Sequence, residues 1–274
     1  MGCPEEASQA VLNAWWPHSV KAMREEVIGD ARLFCGDCRD LLPGLTGVDV
    51  CITDPPYSAK THQGARRGDA SNGWKTASAR PLIDFESMNE VSFVALCAQL
   101  IDVTARWVVM TCDWRHAAYA EKTELPFIRA GVWIKQDSAP QFTGDRPATG
   151  WEAVAMFHRH GRKRWNGGGG KAVWSTPCAR GNHPSEKPVE LVVEWARLFS
   201  DEGETVLDPF MGSGTTGVAC ARLGRRFIGC EIEPKYFDIA LRRIEQAYRQ
   251  RDLFVAPPKA PVAVTHDMFA EPSA

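Results

Sequence analysis

The sequence predicts an α/β fold, a mostly parallel sheet with helices on both faces. Three observations carry that expectation. Short apolar runs ending in turn residues alternate with segments of helical period along most of the chain, the pattern of strands joined by crossovers. Residues 205–231 read as strand, glycine turn, helix and strand, the start of a doubly wound sheet that presents backbone to a ligand. At 274 residues the chain is long enough to cover such a sheet on both sides.

Taken in order, residues 1–30 read as an N-terminal extension and 31–250 as one folded domain. Strands are expected at 32–36, 48–53, 107–112, 131–135, 154–158, 205–208 and 226–231, each β-branched or apolar and closed by turn residues. In 187–200 the residues Val189, Val192, Val193, Ala196 and Phe199 share one helical face, and in 234–250 Phe237, Ala240, Leu241, Ile244 and Tyr248 do the same. Pro234 opens the last helix where a missing N–H is harmless, and arginines crowd its C-terminal half, where they suit the dipole. Two loops are long: 58–80, polar and rich in Gly and Ser, and the basic, glycine-rich 158–182. Loops of that size in a compact domain are functional or disordered. From 251 to 274 the chain turns to Pro and Ala and reads as a disordered tail.

Composition narrows the class. No apolar run is long enough to span a bilayer and no secretory pattern opens the chain, which predicts a cytoplasmic protein. The nine cysteines are odd in number and scattered through apolar segments, so reduced core thiols are expected; Cys35 and Cys38 lack partners at zinc-ligand spacing, and no metal is expected. A net charge of −2 excludes a uniformly basic coat, so a nucleic acid would have to meet the two local patches, 58–80 and 158–182.

The segment "ETVLDPFMGSGTTGVACARLGRRFIGCEIEP" ends its first strand in Asp208, turns at Gly212 and Gly214, and ends its second strand in Glu231. Glycines there let backbone approach a ligand, and an acid about twenty residues on accepts ribose hydroxyls. The third glycine of the dinucleotide fingerprint is missing, and Asp208 is poorly placed beside a pyrophosphate. A cationic nucleoside without phosphates fits better. Upstream, "CITDPPYSAK" runs a strand into Asp54, Pro55, Pro56 and Tyr57; alone, those four residues would be an ordinary turn.

Together "DPPY" and "DPFMGSGTT" resemble the amino-group (N6-adenine and N4-cytosine) DNA methyltransferases. Catalytic motif first and cofactor motif last resembles their β class, and "GDCRDLL" and "HPSEKPVEL" match in order as well. The resemblance covers roughly residues 32–248. It implies a Rossmann-like S-adenosylmethionine-dependent methyltransferase fold with circularly permuted motif order. The Asp54 carboxylate and Pro55 carbonyl would accept the hydrogens of an exocyclic amine, Pro56 would hold that carbonyl extended, and Tyr57 would stack on a flipped base. By the same resemblance Asp208, Phe210, Gly212 and Gly214 line the methionine end of S-adenosylmethionine, Glu231 holds the ribose, Asp37 the adenine, and Ser185 and Lys187 the turn over the methionine. Double-stranded DNA is the implied partner, met by Arg66, Arg67, Trp74 and Lys75 in one loop and Arg162, Lys163 and Arg164 in the other.

Asp rather than Ser at position 54 favours adenine N6, with cytosine N4 as the alternative. Substrate RNA and a catalytically silent DNA-binding module are weaker alternatives. A cytosine-C5 enzyme would need a thiolate, and Cys178 lies in the wrong segment for one. The resemblance also implies a bacterial or phage setting and admits a homodimer, although no apolar surface in the sequence marks an interface. Finally, "QRDLF" (250–254) resembles a sliding-clamp peptide through Gln250, Leu253 and Phe254; the preferred reading is that Leu253 and Phe254 cap the core.

Overall fold

In a computed structural model, residues 23–58, 87–138, 140, 144–159, 161–179 and 186–250 are described. They form one nine-stranded sheet in the order β1-β2-β9-β8-β3-β4-β6-β5-β7. The strands are β1 (Arg24–Ile28), β2 (Ala31–Cys35), β3 (Val50–Thr53), β4 (Trp107–Cys112), β5 (Phe127–Lys135), β6 (Trp151–His158), β7 (Val173–Thr176), β8 (Thr205–Asp208) and β9 (Arg226–Glu231). Its centre, β2-β9-β8-β3-β4, is parallel throughout. β6 runs antiparallel between β4 and β5, and β1 closes the far edge antiparallel to β2.

Helices cover both faces, as the alternating pattern demands. On one side α4 (Val189–Phe199), α5 (Thr215–Leu223) and α6 (Pro234–Arg249) bury Trp195, Phe199, Phe237 and Ile244 against the sheet. On the other, α2 (Glu90–Val103) and α3 (Trp114–Glu121) bury Phe93, Leu96, Leu100 and Ala117, with the one-turn α1 (Cys38–Leu41) beside them. Every residue of β3, β4 and β8 is buried. That is why those strands read as continuous apolar runs rather than alternating ones.

β5 and β6 begin at Phe127 and Trp151, ahead of the expected 131 and 154, and two strands lie where the sequence expectation put none. β1 lies inside the stretch read as an extension, and it pairs with β2 over its whole length. An edge strand needs only one buried face, so "REEVI" carries three charged residues that hid it. β7 lies inside the stretch read as a basic loop and pairs in parallel with β5. Among the described residues the cysteines are free thiols, no His/Cys/Asp/Glu group could hold a metal, and no helix is long and apolar enough to cross a membrane.

Candidate active site at the end of the parallel strands

The parallel strands all finish at one edge, and there the structure opens a cavity of about 510 Å³. The turns after β2, β3, β8 and β9 supply its walls, including Asp37, Asp54, Phe210, Gly212 and Glu231. A ligand crevice at the carboxyl ends of the strands is what a doubly wound sheet offers.

The glycine turn is held from below. Asp208, 4% exposed, accepts hydrogen bonds from Thr53 Oγ1 at 2.7 Å, Thr216 Oγ1 at 2.6 Å and the Phe210 N–H at 3.1 Å. Burial nevertheless pushes its carboxyl up to about 6. Glu231 accepts from the Gly212 and Glu233 N–H groups at 2.9 and 2.8 Å, and burial raises it too. Gly212 and Gly214 both have positive φ, 51° and 83°. A Cβ on Gly214 would come within 2.8 Å of the Ala240 Cβ, so this glycine lets α6 close on the turn and does not itself line the cavity. Asp37 caps α1, accepting from the Arg39 N–H at 2.9 Å while the Arg39 guanidinium pairs with its carboxylate.

Asp54 stands at the other side of the cavity. Its Oδ1 accepts from the Thr111 hydroxyl and its Oδ2 from Lys187 Nζ at 2.5 Å. The expectation placed Lys187 in a turn over the cofactor; it lines the cavity, but its ammonium is buried on the catalytic-motif acid. Glu152, at the start of β6, lies 3.4 Å from the same ammonium, pairs with Lys135 at 2.5 Å, and accepts from the Tyr57 hydroxyl at 2.7 Å. Burial opposes the charge on Lys187, yet Asp54 and Glu152 more than offset it and hold its pKa above the ordinary value. Burial also opposes the Glu152 charge, and Lys187 and Lys135 outweigh it to keep that carboxyl ionised. Tyr57 is pushed well up, first by burial and then by Glu152 and Asp54, so it remains a hydrogen-bond donor. Pro56 lines the cavity and Pro55 is buried beside it.

Glu152, Lys135 and Thr111 were missed in the sequence. The one signal for Glu152 is an acid opening an otherwise apolar strand, "WEAVAMFH". Arg243 was missed as well: it donates to the Ser213 carbonyl at 2.8 Å and to Glu186 at 2.6 Å, tying the glycine turn to the segment that carries Lys187.

The basic residues divide. Arg162, Lys163 and Arg164 are exposed, but the Arg164 guanidinium pairs with Asp201 and its carbonyl accepts from Trp107 Nε1 at 2.5 Å. Trp107 begins β4 and Asp201 precedes β8, so this group sits at the opposite edge of the sheet from Asp54. Arg66, Arg67, Trp74, Lys75 and Ser185 lie outside the described residues, as do Leu253 and Phe254; Gln250 caps α6. Beside the cavity the Met88 N–H donates to the Tyr57 carbonyl at 3.1 Å. Cys178 is half-buried, and burial raises its thiol, the reverse of an activated thiolate.

The donor set fits the sulfonium-bearing cofactor the motifs imply. The cavity wall carries six acids (Asp37, Asp54, Glu186, Asp208, Glu231, Glu233) against two bases, Arg39 and Lys187, and both bases are paired with acids of that wall. Such a wall favours a cation and repels a pyrophosphate.

Residues 48–242 match the family model described as DNA methylase. Type II methyltransferase M.HinfI of Haemophilus influenzae is 25% identical over 271 aligned residues, covering 83% of this chain and 73% of that protein. Type II methyltransferase M.XycI of Xanthomonas campestris pv. cyanopsidis is 32% identical over 152 residues, half of each chain. Among solved structures, the M1.HpyAVI–SAM complex aligns with a TM-score of 0.56 at 24% identity, over 78% of this chain and 99% of that one. The cytosine-N4-specific PvuII DNA methyltransferase aligns with a TM-score of 0.60 at 15% identity, over 84% and 89%; at such identities the two structures speak to the fold alone. The chain belongs to the DNA methylase family and is an S-adenosylmethionine-dependent DNA amino-methyltransferase.

Proposed function

We propose that the chain methylates the exocyclic N6 of an adenine flipped out of duplex DNA. The observation that carries this reading is the convergence of Asp54 with Asp208 and Glu231 on one cavity at the end of the parallel strands. S-adenosylmethionine, when bound, supplies an electrophilic methyl group on a sulfonium. Asp208 and Glu231, with Phe210, Gly212 and Asp37, would hold it, and by the motif resemblance Ser185 and Lys187 would belong to the turn over its methionine end. Gly214 contributes by allowing the turn.

An exocyclic amine is a weak nucleophile because its lone pair is conjugated with the ring. Asp54 and the Pro55 carbonyl accept its hydrogens, favour a tetrahedral nitrogen and stabilise the positive charge that grows there. Asp54 is then placed to take the proton the amine sheds. Pro56 fixes the Pro55 carbonyl, and the Tyr57 ring offers a stacking face worth on the order of 1–3 kcal/mol. DNA is met at this same edge, where β3 ends at Thr53 and β7 at Thr176.

Cytosine N4 presents the same amine beside a ring nitrogen, and it is the second reading; Asp54 in the first motif position favours adenine. The test is labelled S-adenosylmethionine with mixed-sequence duplex DNA, digested to nucleosides. Label in N6-methyladenosine is the expected outcome, and label in N4-methylcytosine would replace it with the second reading.

A further inference from the structure

We propose that Glu152 is a positioning residue of the methyl-transfer site, holding Tyr57 and the lysine partner of Asp54 in the stance that a flipped base meets. The inference rests on the reading of Asp54 and Tyr57 given above. Glu152 is outside every motif in the sequence, yet its carboxylate touches the Tyr57 hydroxyl at 2.7 Å and the Lys187 ammonium at 3.4 Å, and that ammonium sits 2.5 Å from Asp54. Its other oxygen is fixed by Lys135 at 2.5 Å.

The scaffold beneath it is rigid. Glu152 pairs with Trp133 of β5, and the next residue of β6, Ala153, pairs with Cys112 of β4. A side chain carried on a strand flanked on both sides is held more closely than one on a loop. Lys187 Nζ also lies 5.5 Å from the centre of the Tyr57 ring and 5.9 Å from that of Trp133. Lys187 therefore covers the tyrosine while it pairs with the acid, and its position decides how both meet a base.

Charge accounts for why an acid is needed there. Asp54 and Glu152 carry two negative charges, Lys187 and Lys135 two positive, and the group is largely shielded from water, with side-chain exposures of 23, 14, 9 and 24% respectively. With Glu152 ionised, Lys187 is shared between two carboxylates. An amine hydrogen arriving at Asp54 Oδ2 then competes with a cation that has a second anion within reach. Without that second anion, Lys187 is left to Asp54 alone, and the Tyr57 hydroxyl has at best a neutral amide oxygen in place of a carboxylate. Both effects displace groups that must meet the base, and a displacement near 1 Å lowers turnover on the order of 10²-fold.

The experiment is Glu152→Gln beside Asp54→Ala, with kcat and KM measured on unmethylated genomic DNA and the S-adenosylmethionine Kd measured by calorimetry. Expected for Glu152→Gln is a fall in kcat of about 10–100-fold, with KM for DNA and the cofactor Kd changed less than about twofold. Wild-type kcat overturns the inference, and so does loss of cofactor affinity in step with kcat, the sign of a merely structural role. Activity retained in Asp54→Ala overturns instead the reading on which the inference rests. Should Glu152→Gln not fold, Tyr57→Phe removes only the hydroxyl that Glu152 holds. The same kcat-specific fall is expected there, and its absence overturns the inference.

Discussion

Where the parallel strands finish, Lys187 sits between Asp54 and Glu152 against a cavity; where they begin, Arg106 and Arg164 sit between Asp201 and Glu204 against solvent. Both are clusters of two acids around basic side chains. At the first, Asp54 and Lys187 also line a cavity of about 510 Å³, so their charges are available to a ligand. At the second, Arg106 Nη1 lies 2.5 Å from Glu204 and its partners are one another and the Arg164 carbonyl, so the charges are consumed in tying β4 to the turn before β8. Ion pairing alone therefore does not mark a functional site; what distinguishes the two is what else the charged groups face.

The largest expected effect breaks the first cluster. Asp54→Ala should reduce methyl transfer at least on the order of 10³-fold, since it removes an acceptor aimed at the reacting amine, while cofactor affinity is retained. A variant with near-normal turnover would move the chemistry elsewhere. At the opposite edge the expected loss is of stability. Arg106 has an 11% exposed side chain and Glu204 a 16% exposed one, and removing one member of so enclosed a pair costs about 3 kcal/mol. Arg106→Ala should lower the melting temperature on the order of 6–12 °C with kcat unchanged at a temperature where it is folded. A kcat defect without a stability defect would contradict the contrast.

A smaller effect sharpens the first cluster's surroundings. Burial raises the Asp208 carboxyl from near 3.8 to about 6, so the fold favours its protonated form. That preference stabilises the protein at low pH and is lost as pH rises through about 6. If Asp208 faces the cofactor's charge, as proposed above, binding has the opposite preference and needs the carboxyl ionised. S-adenosylmethionine affinity should therefore fall as pH drops below about 6, by up to roughly tenfold per unit. Calorimetry across pH 5–8 reads this directly, and Asp208→Asn should flatten the profile; a flat profile in the unaltered protein would separate Asp208 from the cofactor's charge.

What the sequence made legible follows from how each element earns its burial. β3, β4 and β8 are buried on every residue and β9 on four of six, and α4 and α6 each bury one stripe, so periodicity found them. α2 was missed because its apolar residues, from Val91 to Val103, surround the helix rather than forming a stripe. β1 was missed because an edge strand can carry charge. In the site, Asp54, Asp208 and Glu231 sit at strand ends, where motif and structure coincide. Glu152 reaches Tyr57 and Lys187 only because β6 runs antiparallel beside β4, a sheet neighbour with no trace in local spacing. The long basic stretch illustrates the converse. Charge counting treats 158–182 as one patch, but β7 crosses the sheet within it, so Arg164 before it and Cys178 after it lie at opposite edges.

Arg164 gives the smallest and most discriminating prediction. Its side chain is 58% exposed and paired with Asp201, so Arg164→Ala should change stability by no more than about 0.5 kcal/mol. If DNA binds at the edge that holds Asp54, Arg164 meets no phosphate, and the slope of log affinity against log salt concentration should be unchanged in the variant. Each phosphate contact contributes about 0.9 to that slope for duplex DNA. A fall of about one unit would mean that the duplex reaches the far edge of the sheet, and the functional contrast between the two ends would give way to a DNA path that spans both.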